Sequence, residues 1–467
     1  MLISAKSLAT LAGNEDATGV LMALAPSVLL VAVASVIRGY FNGIYNMKPA
    51  SLNQTLEQVF KAFLTVGFVY AIHYIYNNQS SVAISLGITQ ETVTKIMAIV
   101  ANIASTIATA IGLLYLVIYY RFHRKDIENV VPTDVRLDTK EKYHEIKKTI
   151  KMILSLSIPM SLASIVSAIN RNIDSFTVNN ILQEVIPIIK PEIASNKSLI
   201  VQEATRLYGI LAGKVDMLIG LPLAINIAFA TAIVPAVTEA IEKKDEKLAS
   251  RRIVYSIKFA MLIALPCSIG LCALAGPILE LLFRGQLVTS PESVLLLQIS
   301  SFTIIFTVLN QTINASLQGI GKLYIPAIAL LIGVAFKFIL NLILIRIPWI
   351  NVNGAAIGSV CCHLIATLIV ANVLRKNIKL EINLKVLIVK LLVSTGLMAS
   401  IALLIYTGLA KVFGEMSRIA TLISLVIAVL TYALMIIKLK VLDKNDYYML
   451  PAGEKIYNFL ARIKLVK

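Results

Sequence analysis

The chain has 467 residues, of which 58% are hydrophobic and 15% are charged. Soluble globular domains are less apolar and more charged than this, so the composition excludes an ordinary soluble protein. The formal net charge of +17 would fit a nucleic-acid partner, but the placement of the basic residues along the chain argues against one.

Eleven apolar stretches predict membrane-spanning helices, because each is long enough to cross about 30 Å of hydrocarbon. They cover residues 17–37, 50–76, 93–120, 150–179, 207–235, 253–274, 294–317, 325–345, 354–374, 384–409 and 419–437. The predicted fold class is therefore all-α, a polytopic bundle of membrane helices.

Basic residues are concentrated in alternate loops between these stretches. The segments rich in Lys and Arg are residues 121–151, 243–252, 375–390 and the tail from Lys438. The intervening loops carry only scattered Lys and Arg. This is the positive-inside pattern, which predicts that the basic loops and the C-terminus lie in the cytoplasm. The positive charge is thus explained by membrane topology, and no nucleic-acid partner is expected.

Two segments far apart in the chain repeat one another. Gly43 and Lys61 in the first copy have the same spacing as Gly319 and Lys337 in the second, and both lysines lie in a similar apolar string, VFKAFL or AFKFIL. A duplication of this kind predicts two related halves, each with a lysine at mid-membrane depth, a layout typical of secondary transporters.

Charged residues inside the predicted spans are the candidate functional residues. Lys61 lies roughly 18 Å along its helix from Pro49 at 1.5 Å per residue, and Glu57 precedes it by four positions. Two interpretations stay open, a self-neutralised pair and a cation that faces a central cavity. Lys337 has Gly333 in place of the acid, so it needs a cavity, water or a counter-ion.

Four further charges lie in two other spans. Arg171 and Asp174 can meet at i, i+3, either as an interfacial salt bridge or as part of a site. Lys214 and Asp216 are two residues apart and so do not face each other, and each needs a partner elsewhere in the bundle. We therefore predict Lys61, Lys337, Lys214 and Arg171 as substrate-binding cations, and Glu57, Asp174 and Asp216 as charge-pair or coupling acids.

The sequence offers no nucleophile–base constellation and no metal-ligand spacing, so neither an enzyme, a cofactor nor a metal site is expected. The abundance of intramembrane cations suits a phosphate-bearing amphiphile. The three acids keep a proton- or Na⁺-coupled exporter of organic cations open as an alternative.

Several segments resemble a known family of polysaccharide-biosynthesis membrane proteins. Residues 38–43 read RGYFNG and continue through NMKP at 46–49 to Glu57, while residues 221–240 and 316–322 resemble two further segments of that family. The chain is similar to the multidrug/oligosaccharidyl-lipid/polysaccharide flippase superfamily. Within it, the MurJ-type lipid II flippases and the stage V sporulation protein B group are the most similar branches.

The resemblance implies a two-lobed MATE/MurJ-like fold of fourteen helices with a central cationic cavity. Residues 1–148 would then form an incomplete N-terminal lobe, 149–376 the C-terminal lobe, 377–440 an extra helix pair and 441–467 a basic tail. Three upstream helices are expected to be missing, and with them the cavity arginines that such flippases carry in their first two helices.

The implied function is a multi-pass flippase of the bacterial cell membrane. It would move a lipid-linked, pyrophosphate-bearing oligosaccharide by alternating access, driven by H⁺, Na⁺ or the membrane potential, for the vegetative wall or the spore cortex. The alternatives are a multidrug or organic-cation antiporter of the same fold and a non-transporting, truncated partner in envelope synthesis. Cell-wall synthesis proteins are expected as possible partners.

Overall fold

The computed structural model describes residues 4–13, 15–43, 46, 48–78, 89, 92–128, 139–283, 290–380, 384–414, 417–443, 446 and 457–458. Within these ranges all regular secondary structure is helical. The α-helices are α1 Ala5–Leu11, α2 Thr18–Gly43, α3 Lys48–Asn77, α4 Val93–Glu128, α5 Thr139–Ile189, α6 Lys197–Gly209, α7 Asp216–Glu242, α8 Glu246–Ala273, α9 Ala275–Leu282, α10 Pro291–Ser301, α11 Thr303–Gly319, α12 Ile325–Leu344, α13 Asn353–Asn377, α14 Leu384–Phe413 and α15 Arg418–Lys438.

Ten helical segments of the described chain are long and apolar enough to cross a membrane. Each coincides with one of the eleven predicted stretches, which confirms the all-α polytopic fold class. The remaining prediction, residues 150–179, lies within α5, a continuous helix of 51 residues that is not among these ten. Between α6 and α7 the helix continues without a break through a π-helical turn, Ile210–Val215.

The chain divides into two compact units, Met1–Ile150 and Lys151–Lys467. In the first unit, α4 packs against both α2 and α3. Ala34, Phe41 and Leu116 form its buried apolar cluster, and the ring of Tyr119 packs edge-on against Phe41 at 5.5 Å.

In the second unit, α11 packs against α7, α8 and α13, while α12 pairs with α13 and α14 pairs with α15. The largest apolar cluster runs from α5 to α15, and Leu182, Leu279, Leu297 and Ile345 are among its fully buried members. The C-terminal helix pair joins this unit through α14, which packs against α8.

The two copies of the repeat share one backbone hydrogen bond after the helix that precedes them. After α11, the N–H of Lys322 donates to the carbonyl of Leu317 at 2.8 Å, and Gly321 has a φ of +80°. This is a Schellman ending, in which a residue in the left-handed region reverses the chain. After α2, the N–H of Asn46 donates to the carbonyl of Phe41 at 3.0 Å, at the equivalent positions of the first copy.

Small residues allow α12 and α13 to lie close together. A Cβ atom on Gly333 would lie 2.5 Å from the carbonyl oxygen of Cys362, and one on Gly358 would lie 2.6 Å from the side-chain oxygen of Asn341. Membrane helices use glycine in this way, because close backbone approach supplies most of their packing energy.

We predict that Gly333→Ala lowers the stability of the protein by about 1–3 kcal/mol, because the added methyl group meets backbone that cannot move aside. Thermal unfolding of the purified protein in detergent measures the change. Gly396→Ala on α14 is the matched control, since nothing lies within 4 Å of its added Cβ. Its expected effect is a small gain, and equal melting temperatures for the two variants would contradict the close approach.

Candidate functional site

A buried ion pair joins α5 and α12 inside the second unit. Nζ of Lys337 lies 2.6 Å from Oδ2 of Asp174, with side-chain exposures of 4% and 12%. The ammonium group also donates to the carbonyl oxygen of Asn170 at 3.2 Å. The amide of Asn341 donates to Oδ1 of Asp174 at 2.9 Å and to the hydroxyl oxygen of Thr177 at 3.0 Å. We call these five residues the ion-pair cluster.

Helical spacing places these groups opposite one another. Lys337 and Asn341 are four residues apart on α12, so both lie on one face. On α5, Asn170, Asp174 and Thr177 follow one another at four and three residues, so these three also share a face. The close packing at Gly358 lies beside them, because a Cβ at this position would also approach the side chain of Lys337 at 3.5 Å. The counter-ion that the sequence required for Lys337 is therefore Asp174.

The neighbours of the cluster are polar and come from α13 and α7. The amide nitrogen of Asn170 lies 3.4 Å from Nε2 of His363, and the thiol of Cys362 donates to its amide oxygen at 3.6 Å. Asp216 interacts electrostatically with both Asp174 and Lys337. The group therefore contains two carboxylates and one ammonium, and Asp216 forms no hydrogen bond or ion pair with the side chains that the structure describes.

Lys214 lies in the π-helical turn just before α7. Its Nζ is 5.7 Å from the ring centroid of Phe283, within the range of a cation–π contact, and it interacts electrostatically with Arg206. π-Helical turns are rare and frequently occur at functional sites. Arg206 itself is engaged, because its Nε donates to Glu203 at 2.7 Å. Lys214 is a partly exposed cation that no described acid neutralises.

Two predicted intrahelical pairs are not formed. In the first unit, Oε1 of Glu57 accepts a hydrogen bond from the hydroxyl of Thr109 at 2.8 Å, and Lys61 is exposed and makes no ion pair with a described residue. The interpretation of Glu57 and Lys61 as a self-neutralised pair is wrong, because Glu57 accepts a hydrogen bond from Thr109 on α4 and the two charged groups form no ion pair. The predicted salt bridge between Arg171 and Asp174 is also wrong, because Asp174 pairs with Lys337 on α12.

Sequence reasoning missed three polar partners at these positions, Asn341, Thr177 and Thr109. Asn341 carried a usable signal, because it lies four residues after Lys337 and so on the same helical face. The part of the chain that the structure describes contains no group of three or more His, Cys, Asp or Glu side chains arranged for a metal ion. All four cysteines are free thiols.

The fold of the chain is that of transporters of the MOP superfamily. It superposes on an inward-facing multidrug resistance MATE family transporter of that superfamily with a TM-score of 0.59, at 16% identity over 81% of this chain and 76% of the other. It superposes on the lipid II flippase MurJ in an inward closed conformation with a TM-score of 0.56, at 16% identity over 90% and 73%. Residues 7–424 match the lipid II flippase MurJ family, so the chain belongs to that family.

The chain is similar in sequence to two proteins from Bacillus subtilis (strain 168). The chain is 24% identical to the lipid II flippase MurJ over 71% of this chain and 55% of the relative, and 24% identical to the stage V sporulation protein B over 78% and 62%. The chain thus spans a little more than half of the length of each of these relatives.

We predict that Lys337→Met and Asp174→Leu each destabilise the protein by about 3–5 kcal/mol, because each leaves a buried charge without its partner. The double variant is expected to be more stable than either single variant, since it removes both charges together. Denaturant titration of the purified protein gives the three values and their coupling energy. Strictly additive losses would show that the two side chains do not interact.

Proposed function

We propose that this protein is a flippase that moves a lipid-linked, pyrophosphate-bearing oligosaccharide, a lipid II-like precursor, across the bacterial cell membrane by alternating access. The observation that carries the proposal is a set of ionisable side chains inside the helical bundle, brought together from α5, α7 and α12. Ionisable groups at such depth mark transport pathways. Membership of the lipid II flippase family supports the choice of substrate class, and the proposal involves no covalent chemistry.

Among the four predicted cations, we assign contact with the pyrophosphate first to Lys214. It is partly exposed, has no described acidic partner and lies in an irregular helical turn. Lys61 and Arg171 are exposed on their own units and are proposed as further headgroup contacts. Lys337 is enclosed and neutralised by Asp174, so we propose that it holds α5 and α12 together rather than meeting the substrate.

Coupling to an ion is proposed for the acids of the second unit. Asp216 is exposed and electrostatically linked to the ion-pair cluster, so a change in its charge would alter the balance between Asp174 and Lys337. H⁺ and Na⁺ both fit a single exposed carboxylate. Glu57, held by Thr109, is the candidate in the first unit.

The cellular setting follows from the charge pattern of the loops. We propose that the basic loops and the C-terminus face the cytoplasm, with cell-wall synthesis proteins as neighbours in the membrane. The division into an N-terminal lobe ending near residue 148, a C-terminal lobe to 376, an extra helix pair and a basic tail also stays a proposal.

Export of organic cations is a second candidate, favoured by Asp216, whose carboxylate has no described hydrogen-bond partner. A cationic substrate would bind to this carboxylate, whereas a pyrophosphate group would bind to the ammonium group of Lys214. The two candidates therefore assign different residues to substrate binding, and single substitutions at the two positions separate them.

We predict that Lys214→Ala slows flipping by about tenfold or more, because a charge-assisted contact to phosphate is worth about 1.5–3 kcal/mol. Lys214→Arg is expected to retain most of the rate. The assay uses proteoliposomes that contain a fluorescent polyprenyl pyrophosphate-linked disaccharide, with chemical quenching of the outer leaflet.

Lys243→Ala is the matched control, because the side chain of Lys243 is 64% exposed and pairs with Glu239 alone among the described residues. It is expected to leave flipping unchanged. Normal flipping by Lys214→Ala would overturn the assignment of this residue. Loss of organic-cation uptake in Asp216→Asn, with no flipping by the wild-type protein, would favour the exporter.

A further inference from the structure

A line of buried polar atoms without partners runs along one face of α10 and α11. Among the described residues, five side-chain atoms here have no hydrogen-bond partner. They are the hydroxyl oxygens of Ser300, Thr303 and Thr307, the amide nitrogen of Asn310 and the amide oxygen of Asn314. Their spacing alternates between three and four residues, which places all five on a single helical face. We call this line the polar seam.

The missing hydrogen bonds are not a general property of this helix. Thr312 donates to the carbonyl of Val308 at 3.0 Å, and Ser316 donates to the carbonyl of Thr312 at 3.0 Å. Hydroxyl groups in helices have such a carbonyl within reach one turn earlier, and most Ser and Thr side chains of membrane helices use it. The hydroxyls of the seam make no such bond to their own helix.

An unpartnered polar atom in an apolar interior is costly, so each of these groups calls for a partner. Ser300, Thr303 and Asn310 are 3%, 7% and 7% exposed, and Thr307 and Asn314 are half-buried. The five unpartnered atoms themselves are all buried, so bulk solvent is not their partner. One link exists within the seam, since the amide of Asn314 donates to the side-chain oxygen of Asn310 at 2.7 Å. The remaining atoms of both amides stay free.

The spacing of the seam matches bridging by single water molecules. Neighbouring members are three or four residues apart, or about 4.5–6 Å at 1.5 Å per residue. Two hydrogen bonds of about 2.8 Å through one water span roughly 5.6 Å. From residue 300 to 314 the seam extends about 21 Å, or roughly two thirds of the hydrocarbon thickness.

Apolar side chains close both ends of the seam. One step before Ser300 in the same pattern is Leu296, 1% exposed, and one step after Asn314 is Leu317, which is fully buried. The seam is therefore a bounded polar strip inside the second unit. Its residues are distinct from the ion-pair cluster and from Lys214.

We propose that the polar seam binds a file of ordered water molecules, with a bridging water between successive members. Buried waters of this kind satisfy about three polar groups each. The file supplies the missing partners and gives α11 water-mediated contacts inside the bundle. This inference does not depend on the transported substrate.

Water-edited solid-state NMR of the full chain in lipid bilayers tests the proposal, because magnetisation passes from water only to nearby side chains. The expected result is that Thr303 and Thr307 gain signal at least threefold faster than Thr312. Thr312 is the matched control, since it is 2% exposed on the same helix and its hydroxyl is fully engaged. Equally slow build-up at the three threonines would overturn the proposal.

A substitution then tests whether the waters form one connected file. Thr307→Val removes a central hydroxyl while keeping the shape of the side chain, and is expected to slow the build-up at Thr303 at least twofold. Thr312→Val should leave Thr303 and Thr307 unchanged. Unaltered build-up at Thr303 in Thr307→Val would show that the waters are not connected, which contradicts a file. A higher melting temperature of that variant would show that the hydroxyl of Thr307 had no water partner, which also contradicts it.

Discussion

The buried ion pair between Lys337 and Asp174 is the interaction on which the second unit depends. A single charge in the apolar interior of a membrane protein is strongly unfavourable, so the two groups stabilise each other only if both are held in place. Asn341 and the carbonyl of Asn170 supply the remaining hydrogen bonds. The packing of α12 against α13 at Gly333 and Gly358, and the position of His363, all surround this pair.

The charged residues of this unit are of two kinds, those that pair with each other and those that do not. Lys337 and Asp174 satisfy each other inside the unit, whereas Lys214 and Asp216 are more open and lack a described partner of opposite charge. Lys214 lies within the π-helical turn that follows α6, and Asp216 is the first residue of α7. We propose that the enclosed charges maintain the architecture and that the open charges contact a substrate or an ion.

The sequence predicted the helices well, because a membrane-spanning helix needs only an apolar run of sufficient length. It also located the ionisable residues, which are rare in such runs. Their partners were not predictable, since Asp174 and Lys337 are 163 residues apart and Glu57 meets Thr109 rather than Lys61. Intrahelical spacing shows which side chains can meet, but the competing partner on a neighbouring helix decides which of them do.

The direction of the hydrogen bonds around Asn341 has a consequence for how this site can evolve. Its amide donates to both Asp174 and Thr177, while Thr177 passes its own hydrogen to the carbonyl of Ile173 at 2.8 Å. The carboxylate of Asp174 thus accepts from both Lys337 and Asn341, and an acid at position 341 would place two negative groups together. Exchange of Lys337 or Asp174 alone leaves a buried charge without its partner, so these two positions can change over generations only through compensating pairs of substitutions.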